Sequence, residues 1–503
     1  MNITPVVRKF LTHRMRSIER YTDHAEDIQR GVLRRLVNAA EHTAYGKAFQ
    51  FDKIRLYENF AQRVPLNDYD SLKPYIERMR HGEPDVLWKG HVHWFAKSSG
   101  TTHDKSKFIP VSPRGLKHIH YKGGTDSVAI YLHRHNPESR LFEGKALILG
   151  GSHQPDANLP QSLAGDLSAI LLENTSSFVN HFRVPSKPTA LLSDFEQKRL
   201  KIAEETMGQN VTNLSGVPSW MMGVIRTVLE KTGASTLDEV WPNLEVFFHG
   251  GVAFTPYREQ YRRIIPSERM HYVETYNASE GFFGIQDLPD NPGLLLMLDY
   301  DVFYEFIPVE EVGKAQPRII PLWEVEPHRN YAMVITTSCG LWRYQIGDTV
   351  RFDSVRPYRF RISGRTKCFI NAFGEELMVD NAEQGLDRAC RLTGAEVEEY
   401  TAAPVFMDSE GHCRHQWVVE FRKQPASVEA FADALDAALK ELNSDYEAKR
   451  YKDLTLQRPE IVVARQGLFN DWLKSRGKLG GQHKVPRLAN DRNIIEQVLL
   501  LNK

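Results

Sequence analysis

KALILGG, residues 145–151, is an apolar run that ends in two glycines. A short apolar run closed by a breaker reads as a buried strand running into a glycine turn. LEVFFHGGV at 244–252 repeats the form, and NYAMVIT at 330–336 is a third run of the same kind. Helical stretches lie between them, such as SWMMGVIRTVLEKT at 219–232. Strands alternating with helices predict an α/β sheet architecture.

Working outward, the first fifty residues read as helix. Val32, Leu33, Leu36, Val37 and Ala40 recur at helical spacing, with Gly46 expected to end the pattern. After about residue 365 the texture changes, and the Arg-rich RFRISGRTK gives way to a βαβ-like pattern. Residues 417–421 and 460–464 read as strands. Residues 427–442 read as an amphipathic helix, with Val428, Phe431, Leu435, Ala438, Leu439 and Leu442 on one side. A chain of 503 residues exceeds one hydrophobic core, since cores stop growing at roughly 250–300 residues. The expected boundary lies near residues 364–368, giving a large domain, 1–365, and a small one, 366–503.

Composition narrows the function. Lys+Arg and Asp+Glu both total 64, so no global field draws in nucleic acid or an anionic membrane. Cys339, Cys368, Cys390 and Cys413 are scattered without CxxC spacing, which suits reduced thiols in the cytoplasm. No signal-peptide core follows the charged N-terminus, and no run of roughly 18 apolar residues occurs.

Four motifs carry chemistry. SSGTTHDKSKFIP, residues 98–110, places small hydroxyl residues around one glycine ahead of lysines, which suits a loop that wraps phosphates; Lys107 or Lys105 would add charge. It equally suits a polar surface turn. TYNASEG, 275–281, sets Tyr276 to stack on a nucleobase and Glu280 to hold magnesium, or is a strand-to-turn segment with a solvated glutamate. LWRYQIGDTVRF, 341–352, places Asp348 at a glycine turn between two β-like runs, where it could accept from both ribose hydroxyls; the plain alternative is a hairpin with a Gly-Asp turn. GKLGGQHKVPRL, 477–488, puts Lys484 in a glycine-rich loop able to reach a reacting phosphate, or simply exposes a basic loop.

In this order and at these separations the four motifs resemble the acyl-adenylate-forming, luciferase-like superfamily. More closely they resemble the auxin-responsive promoter family of acyl acid amido synthetases, along residues 98 to about 490. His483 replaces that family's more usual aromatic, and His103 and Asp104 stand where the wider superfamily prefers a second glycine. The resemblance implies a large N-terminal domain with β-barrel and α/β sheet parts and a small mobile α+β C-terminal domain. It implies that Ser98, Ser99, Gly100, Thr101, Thr102 and Lys107 hold phosphates and that Tyr276 stacks on adenine, with Gly250 and Gly251 on the other side and Ser279 nearby. It further implies Glu280 as the magnesium ligand, Asp348 on the ribose, Arg365 at the interdomain hinge and Lys484 on the reacting phosphate. The expected activity uses ATP and Mg2+ to activate a carboxylic acid as an acyl-adenylate and hands the acyl group to an amine, an amino acid being the expected acceptor. The expected form is a monomer. Two alternatives stay open: an acyl-CoA ligase, against which the lack of a basic cluster for a 3′-phosphate speaks, and a non-catalytic nucleotide-binding protein.

Other signals are weaker. His91/His93, His118/His120 and His133/His135 have no third ligand at a recognisable spacing for zinc and read as exposed polar segments. The HGG at 249–251 lacks the G-x-S-x-G elbow of a serine hydrolase. Residues 166–183 read as a helix with Ile170, Leu171, Ser177 and Phe178 near one face, placed beside the acyl site by the resemblance or in the core by the plainer reading.

Overall fold

The computed structural model describes residues 3–99, 106–156, 159–252, 254, 257–365, 369–375, 377–406, 413–453, 455–475 and 485–502. It divides into two compact units: residues 1–97 with 108–366, and residues 98–107 with 367–503.

The first unit opens with helices Thr4–Glu19 and Tyr21–Ala40. The apolar spacing that predicts them is the buried face, with Val32, Leu36 and Ala40 at 0–1% exposure. Arg14 fastens the first helix to the core through a guanidinium shared between Asp126 and Asp299. Gly46 does not end the second helix. It lies within a separate short helix, Ala44–Ala48, where a Cβ would stand 2.1 Å from the carbonyl oxygen of Ala40.

A twelve-stranded sheet runs through this unit, and its character changes halfway. Strands Arg183–Val184, Lys145–Ile148, Val211–Gly216, Val246–His249 and His271–Ala278 pair in parallel in that order. Helix Pro218–Thr232 makes one of the connections, with proline at its first turn and Gly233 at φ +71° after its end. From His271–Ala278 onward the pairing is antiparallel, through Gly281–Gln286, Leu294–Leu296, Tyr358–Arg365, Tyr344–Val355, Asn330–Thr337, Val302–Pro308 and Ile320–Pro321. The run at 330–336 is a strand as expected, but it belongs to this antiparallel half, whose core is aromatic: Phe306 meets Phe352 edge-on at 5.2 Å.

A second sheet pairs Trp94–Ala96 in parallel with Leu163–Gly165, and Leu159–Gly165 in antiparallel with His153–Asp156. Residues 166–183 are not one helix. Helix Leu167–Glu173 ends, and Ser177–Asn180 forms a separate turn. Asn174 Nδ2 donates to the carbonyl of Ile170 at 2.8 Å and Thr175 Oγ1 to that of Leu171 at 2.7 Å. Such short polar side chains compete with the backbone for its own carbonyls. Ile170 is buried and Leu171 half-buried; the side chains of Ser177 and Phe178 lie outside the described residues.

The second unit is α+β. Strand Glu396–Val405 pairs antiparallel with Arg414–Lys423, which pairs in parallel with Glu460–Ala464. Helix Val428–Leu442 crosses between the last two, capped by Ser427, whose hydroxyl accepts from the Ala430 amide at 3.1 Å. A small apolar core including Val418, Leu468, Phe469, Trp472, Val485 and Val498 closes it. Among the described residues no helix is long and apolar enough to cross a membrane.

Candidate functional site

The carboxyl edge of the parallel half carries three glycine-bearing corners. Gly150 and Gly151 follow Lys145–Ile148, Gly216 closes Val211–Gly216, and Gly250 and Gly251 follow Val246–His249. Open α/β sheets bind ligands at this edge. Two of the glycines have no substitute. A Cβ on Gly250 would stand 2.2 Å from the carbonyl oxygen of Thr275, and Gly251 has φ +84°. Thr275 Oγ1 donates to the carbonyl of His249 at 3.1 Å, so this corner is tied directly to the neighbouring strand.

Tyr276 is the next residue on that strand. Its ring is buried, edge-on to Phe283 at 5.0 Å and tilted against Phe360 at 6.0 Å. Its hydroxyl donates to Oδ2 of Asp348. Asp348 is not in a hairpin turn. It lies inside the long strand Tyr344–Val355, opposite Arg365. The register against Asn330–Thr337 shifts between Ala332 and Val334, so Ile346, Gly347 and Asp348 face Met333 alone. Gly347, at φ +91°, supplies the left-handed conformation that this bulge needs. Gly-Asp marks a bulge as readily as a turn, and here it re-aims the carboxylate.

Ser279 and Glu280 form a two-residue turn, closed by the pairing of Ala278 with Gly281. Glu280 is 8% exposed, so it is no solvated turn residue. The structure therefore brings Gly250, Gly251, Tyr276, Ser279, Glu280, Asp348 and the backbone of Arg365 into one stretch of sheet around the change from parallel to antiparallel pairing. Ser98 and Ser99 end strand Trp94–Ser99, and Lys107 lies in strand Ser106–Val111. Gly100, Thr101, Thr102, Lys105, Lys484 and the side chain of Arg365 lie outside the described residues.

Two ionisable groups at this edge escaped the sequence reading. His249 is buried against Phe254, ring centroids 4.1 Å apart; burial, aided by the charge of Arg258, pushes its imidazole down to about 3. Its register partner Glu274 is held above the usual carboxylate range by burial, against the pull of Arg258. The available signal was position: Glu274 stands two residues before Tyr276, hence on the same face of the strand. The histidine pairs place no zinc site. His118/His120 and His133/His135 lie on helical turns, and His120, expected in an exposed segment, is buried, which pushes it down to about 4. Among the described residues no group of three or more His, Cys, Asp or Glu is placed to hold a metal ion.

The arrangement suits a nucleotide. At the glycine corner the backbone approaches its neighbouring strand more closely than any side chain would allow, and Asp348 and Glu280 add carboxylates near Tyr276. A single carboxylate suits magnesium, which takes most of its remaining ligands from water and phosphate.

Comparison with known proteins bears on the same residues. The profile of the GH3 family N-terminal domain matches residues 14–270, that of the central domain 295–365, and that of the C-terminal domain 380–493. Indole-3-acetic acid-amido synthetase GH3.3 of Arabidopsis thaliana is 23% identical over 558 residues, covering 96% of this chain and 92% of that protein. The 4-substituted benzoates-glutamate ligase GH3.12 of the same plant is 22% identical over 544 residues, covering 93% of each. Among solved structures, GH3.15 acyl acid amido synthetase superposes with a TM-score of 0.60 at 19% identity, covering 97% of this chain and 96% of that one. A 2-hydroxyisobutyryl-CoA ligase superposes at 0.55 with 13% identity, covering 95% and 92%. These structural likenesses speak for the fold, and the matched N-terminal, central and C-terminal regions together show that this chain belongs to the GH3 family.

Proposed function

We propose that this chain is an ATP-dependent acyl acid amido synthetase, which activates a carboxylic acid as an acyl-adenylate and passes the acyl group to an amine, an amino acid being the expected acceptor. The observation that carries the reading is the joining of Tyr276 to Asp348 beside the Gly250–Gly251 corner in a chain of this family. Relatives named as amido synthetases along nearly the whole chain support it.

A carboxylate is a poor electrophile because its leaving group would be oxide. Its attack on the α-phosphorus of ATP gives a mixed anhydride and releases pyrophosphate. Two anions must meet, so positive charge has to screen them in the transition state. In this reading Ser98, Ser99, Gly100, Thr101, Thr102 and Lys107 bind the phosphates, Asp348 accepts from the ribose hydroxyls and Lys484 approaches the reacting phosphate. Tyr276, Gly250, Gly251 and Ser279 shape the adenine slot, Arg365 marks the hinge and Glu280 would hold Mg2+. When bound, magnesium supplies charge screening between the phosphates and the incoming carboxylate. The amine then attacks the acyl carbon and AMP leaves. Among the described residues Cys339 and Cys390 are free thiols, which supports a reducing compartment, the cytoplasm.

The test supplies ATP, Mg2+ and a panel of carboxylic acids, with either amino acids or coenzyme A. Acid-dependent pyrophosphate release followed by amide product supports the reading. Thioester product assigns the chain to the chemistry of the coenzyme A ligase whose fold it shares. ATP binding with no pyrophosphate release from any acid supports a non-catalytic protein.

A further inference from the structure

Arg343 and Glu305 form an ion pair inside the first unit, at 5% and 1% exposure. Nε of Arg343 donates to Glu305 Oε2 at 3.0 Å and Nη2 donates to Oε1 at 2.9 Å, a two-pronged fit. Nη1 donates to the carbonyls of Ala61 and Val64, each at 2.9 Å. The Tyr57 hydroxyl gives Glu305 Oε1 a further bond at 3.0 Å. Desolvating two charges is costly, and a buried pair of this kind often adds no stability over apolar residues of the same volume. The best-attested use of such a pair is to fix a register.

Its place in the sheet says which register that is. Glu305 pairs with Val334, and Val334 pairs with Gln345, so one row crosses the strands Val302–Pro308, Asn330–Thr337 and Tyr344–Val355. Arg343 stands two residues before Gln345, and its bond to Glu305 therefore reaches across the middle strand. The backbone of Arg343 is held as firmly. Its φ of +43° is the left-handed region that a side chain makes costly, so the surrounding contacts have to impose it. Its amide donates to Thr336 Oγ1 at 2.9 Å. Its carbonyl accepts from the Asn67 amide at 2.9 Å, and the Asn67 carbonyl accepts from the Gln345 amide at 2.8 Å. Directly after this row come Ile346, Gly347 and Asp348, the bulge that faces Met333 alone.

We propose that Arg343 and Glu305 are positioning residues for the nucleotide: their bond locks Tyr344 and Gln345 in register against the middle strand and so fixes the bulge that aims the Asp348 carboxylate. This rests on the adenylate-forming reading above, in which Asp348 accepts from the ribose hydroxyls. Neither residue touches substrate. Gly347 lets the backbone make the bulge, but it does not decide how Tyr344 and Gln345 line up with Ile335 and Val334. A slip of one residue there would turn Asp348 to the other face of the sheet, away from the Tyr276 hydroxyl that now holds it.

The experiment measures, by calorimetry with Mg2+ present, the affinity for ATP and for 2′,3′-dideoxy-ATP, which lacks both ribose hydroxyls. Wild type should bind ATP about tenfold or more tightly than the analogue, the worth of a hydrogen bond to a charged group. The double variant Arg343→Met, Glu305→Met puts apolar side chains in place of the pair, a change that buried pairs commonly tolerate. It should fold, with a melting midpoint near that of wild type. Its ATP affinity should drop to that of the analogue, whose own affinity stays put, because only the grip on the ribose is lost. A folded double variant that keeps the wild-type ratio overturns the proposal, including one that weakens both nucleotides alike, as general loosening of the fold would. If the double variant does not fold, Arg343→Lys decides the matter. It keeps the charge and loses the fork, so the ratio should fall by several-fold, and a wild-type ratio in it overturns the proposal. A wild type that binds both nucleotides equally takes Asp348 off the ribose and overturns the proposal with it, and a wild type that binds neither overturns the adenylating reading itself.

Discussion

The hydroxyl of Tyr276 donates to the carboxylate of Asp348, a residue 72 positions further along the chain. The bond holds the carboxylate in one orientation, from which it would accept from a ribose hydroxyl. It also fixes the Tyr276 ring edge-on to Phe283, so the aromatic wall and the carboxylate form one unit. Tyr276→Phe keeps the ring and deletes the bond. A hydrogen bond to a charged acceptor contributes about 1.5–3 kcal/mol to stability. The expected result is a rise in the KM for ATP of about three- to tenfold with little change in kcat, and a larger loss in Tyr276→Ala. A wild-type KM in Tyr276→Phe would show that the bond plays no part in nucleotide binding.

Gly250→Ala tests the glycine corner. Its new methyl would meet the Thr275 carbonyl oxygen at 2.2 Å, and backbone cannot swing aside as a side chain can. Overpacking of this kind costs about 1–3 kcal/mol, so the melting midpoint should fall and ATP binding weaken. At Gly124 a methyl would meet nothing within 4 Å, which makes that position the control; Gly124→Ala should match wild type in both measurements. Equal behaviour of the two variants would show that the corner yields freely.

How legible this was in the sequence depends on range. The runs at 145–151 and 244–252 gave away their strands because apolar residues followed by Gly-Gly have few other uses. The family was legible because the four motifs are each local and their order is specific. What stayed hidden was long-range or two-valued. Nothing local pairs Tyr276 with Asp348. Gly347-Asp348 fits a turn and a bulge equally, and only pairing with Asn330–Thr337 decides it. Residues 166–183 keep helical apolar spacing through a break that Asn174 and Thr175 impose through their side chains. His249 drew notice only as part of HGG and Glu274 carries no motif; their burial is a product of tertiary packing.

Glu274 gives a pH prediction with a definite sign. Burial raises its folded pKa above the unfolded value, so the folded state resists ionisation that the unfolded state accepts freely. The group's contribution is fully present well below about pH 4.5 and is lost as pH rises through the folded pKa. Glu274→Gln should therefore melt with wild type at acid pH and above it at pH 7. A variant that melts below wild type at pH 7 would mean that the ionised carboxylate is stabilising, and that Arg258 outweighs burial.

Glu280→Gln should abolish most adenylation while the fold persists. The carboxylate is 8% exposed in a tight turn, so its amide replacement fits the same space without the charge. Loss of one such electrostatic group costs about a hundredfold or more in rate. The magnesium dependence should move with it, saturating at higher Mg2+ than in wild type. Activity within a few-fold of wild type at ordinary Mg2+ would assign Glu280 to turn structure alone.

Lys484 addresses the order of the two half-reactions. Its neighbour Val485 is buried in the core of the second unit. Beyond it, the carbonyl of Pro486 accepts from Thr401 Oγ1 at 2.7 Å and that of Arg487 from the Ala402 amide at 2.9 Å. The attachment point of Lys484 is thus part of that unit, and any rotation of the unit carries it along. A lysine that screens the meeting of a carboxylate with the phosphates during adenylation has a lesser task when a neutral amine attacks the finished acyl-adenylate, where no two anions have to meet, and domain rotation is the usual way to exchange such groups between steps. Lys484→Ala should therefore slow acid-dependent pyrophosphate release by about a hundredfold, the usual cost of removing one transition-state charge. Amide formation from supplied acyl-adenylate should stay within a few-fold of wild type. Equal losses in the two half-reactions would sink the division of labour, and a second unit held in one orientation with and without nucleotide, measured by distance-dependent fluorescence, would sink the rotation that explains it.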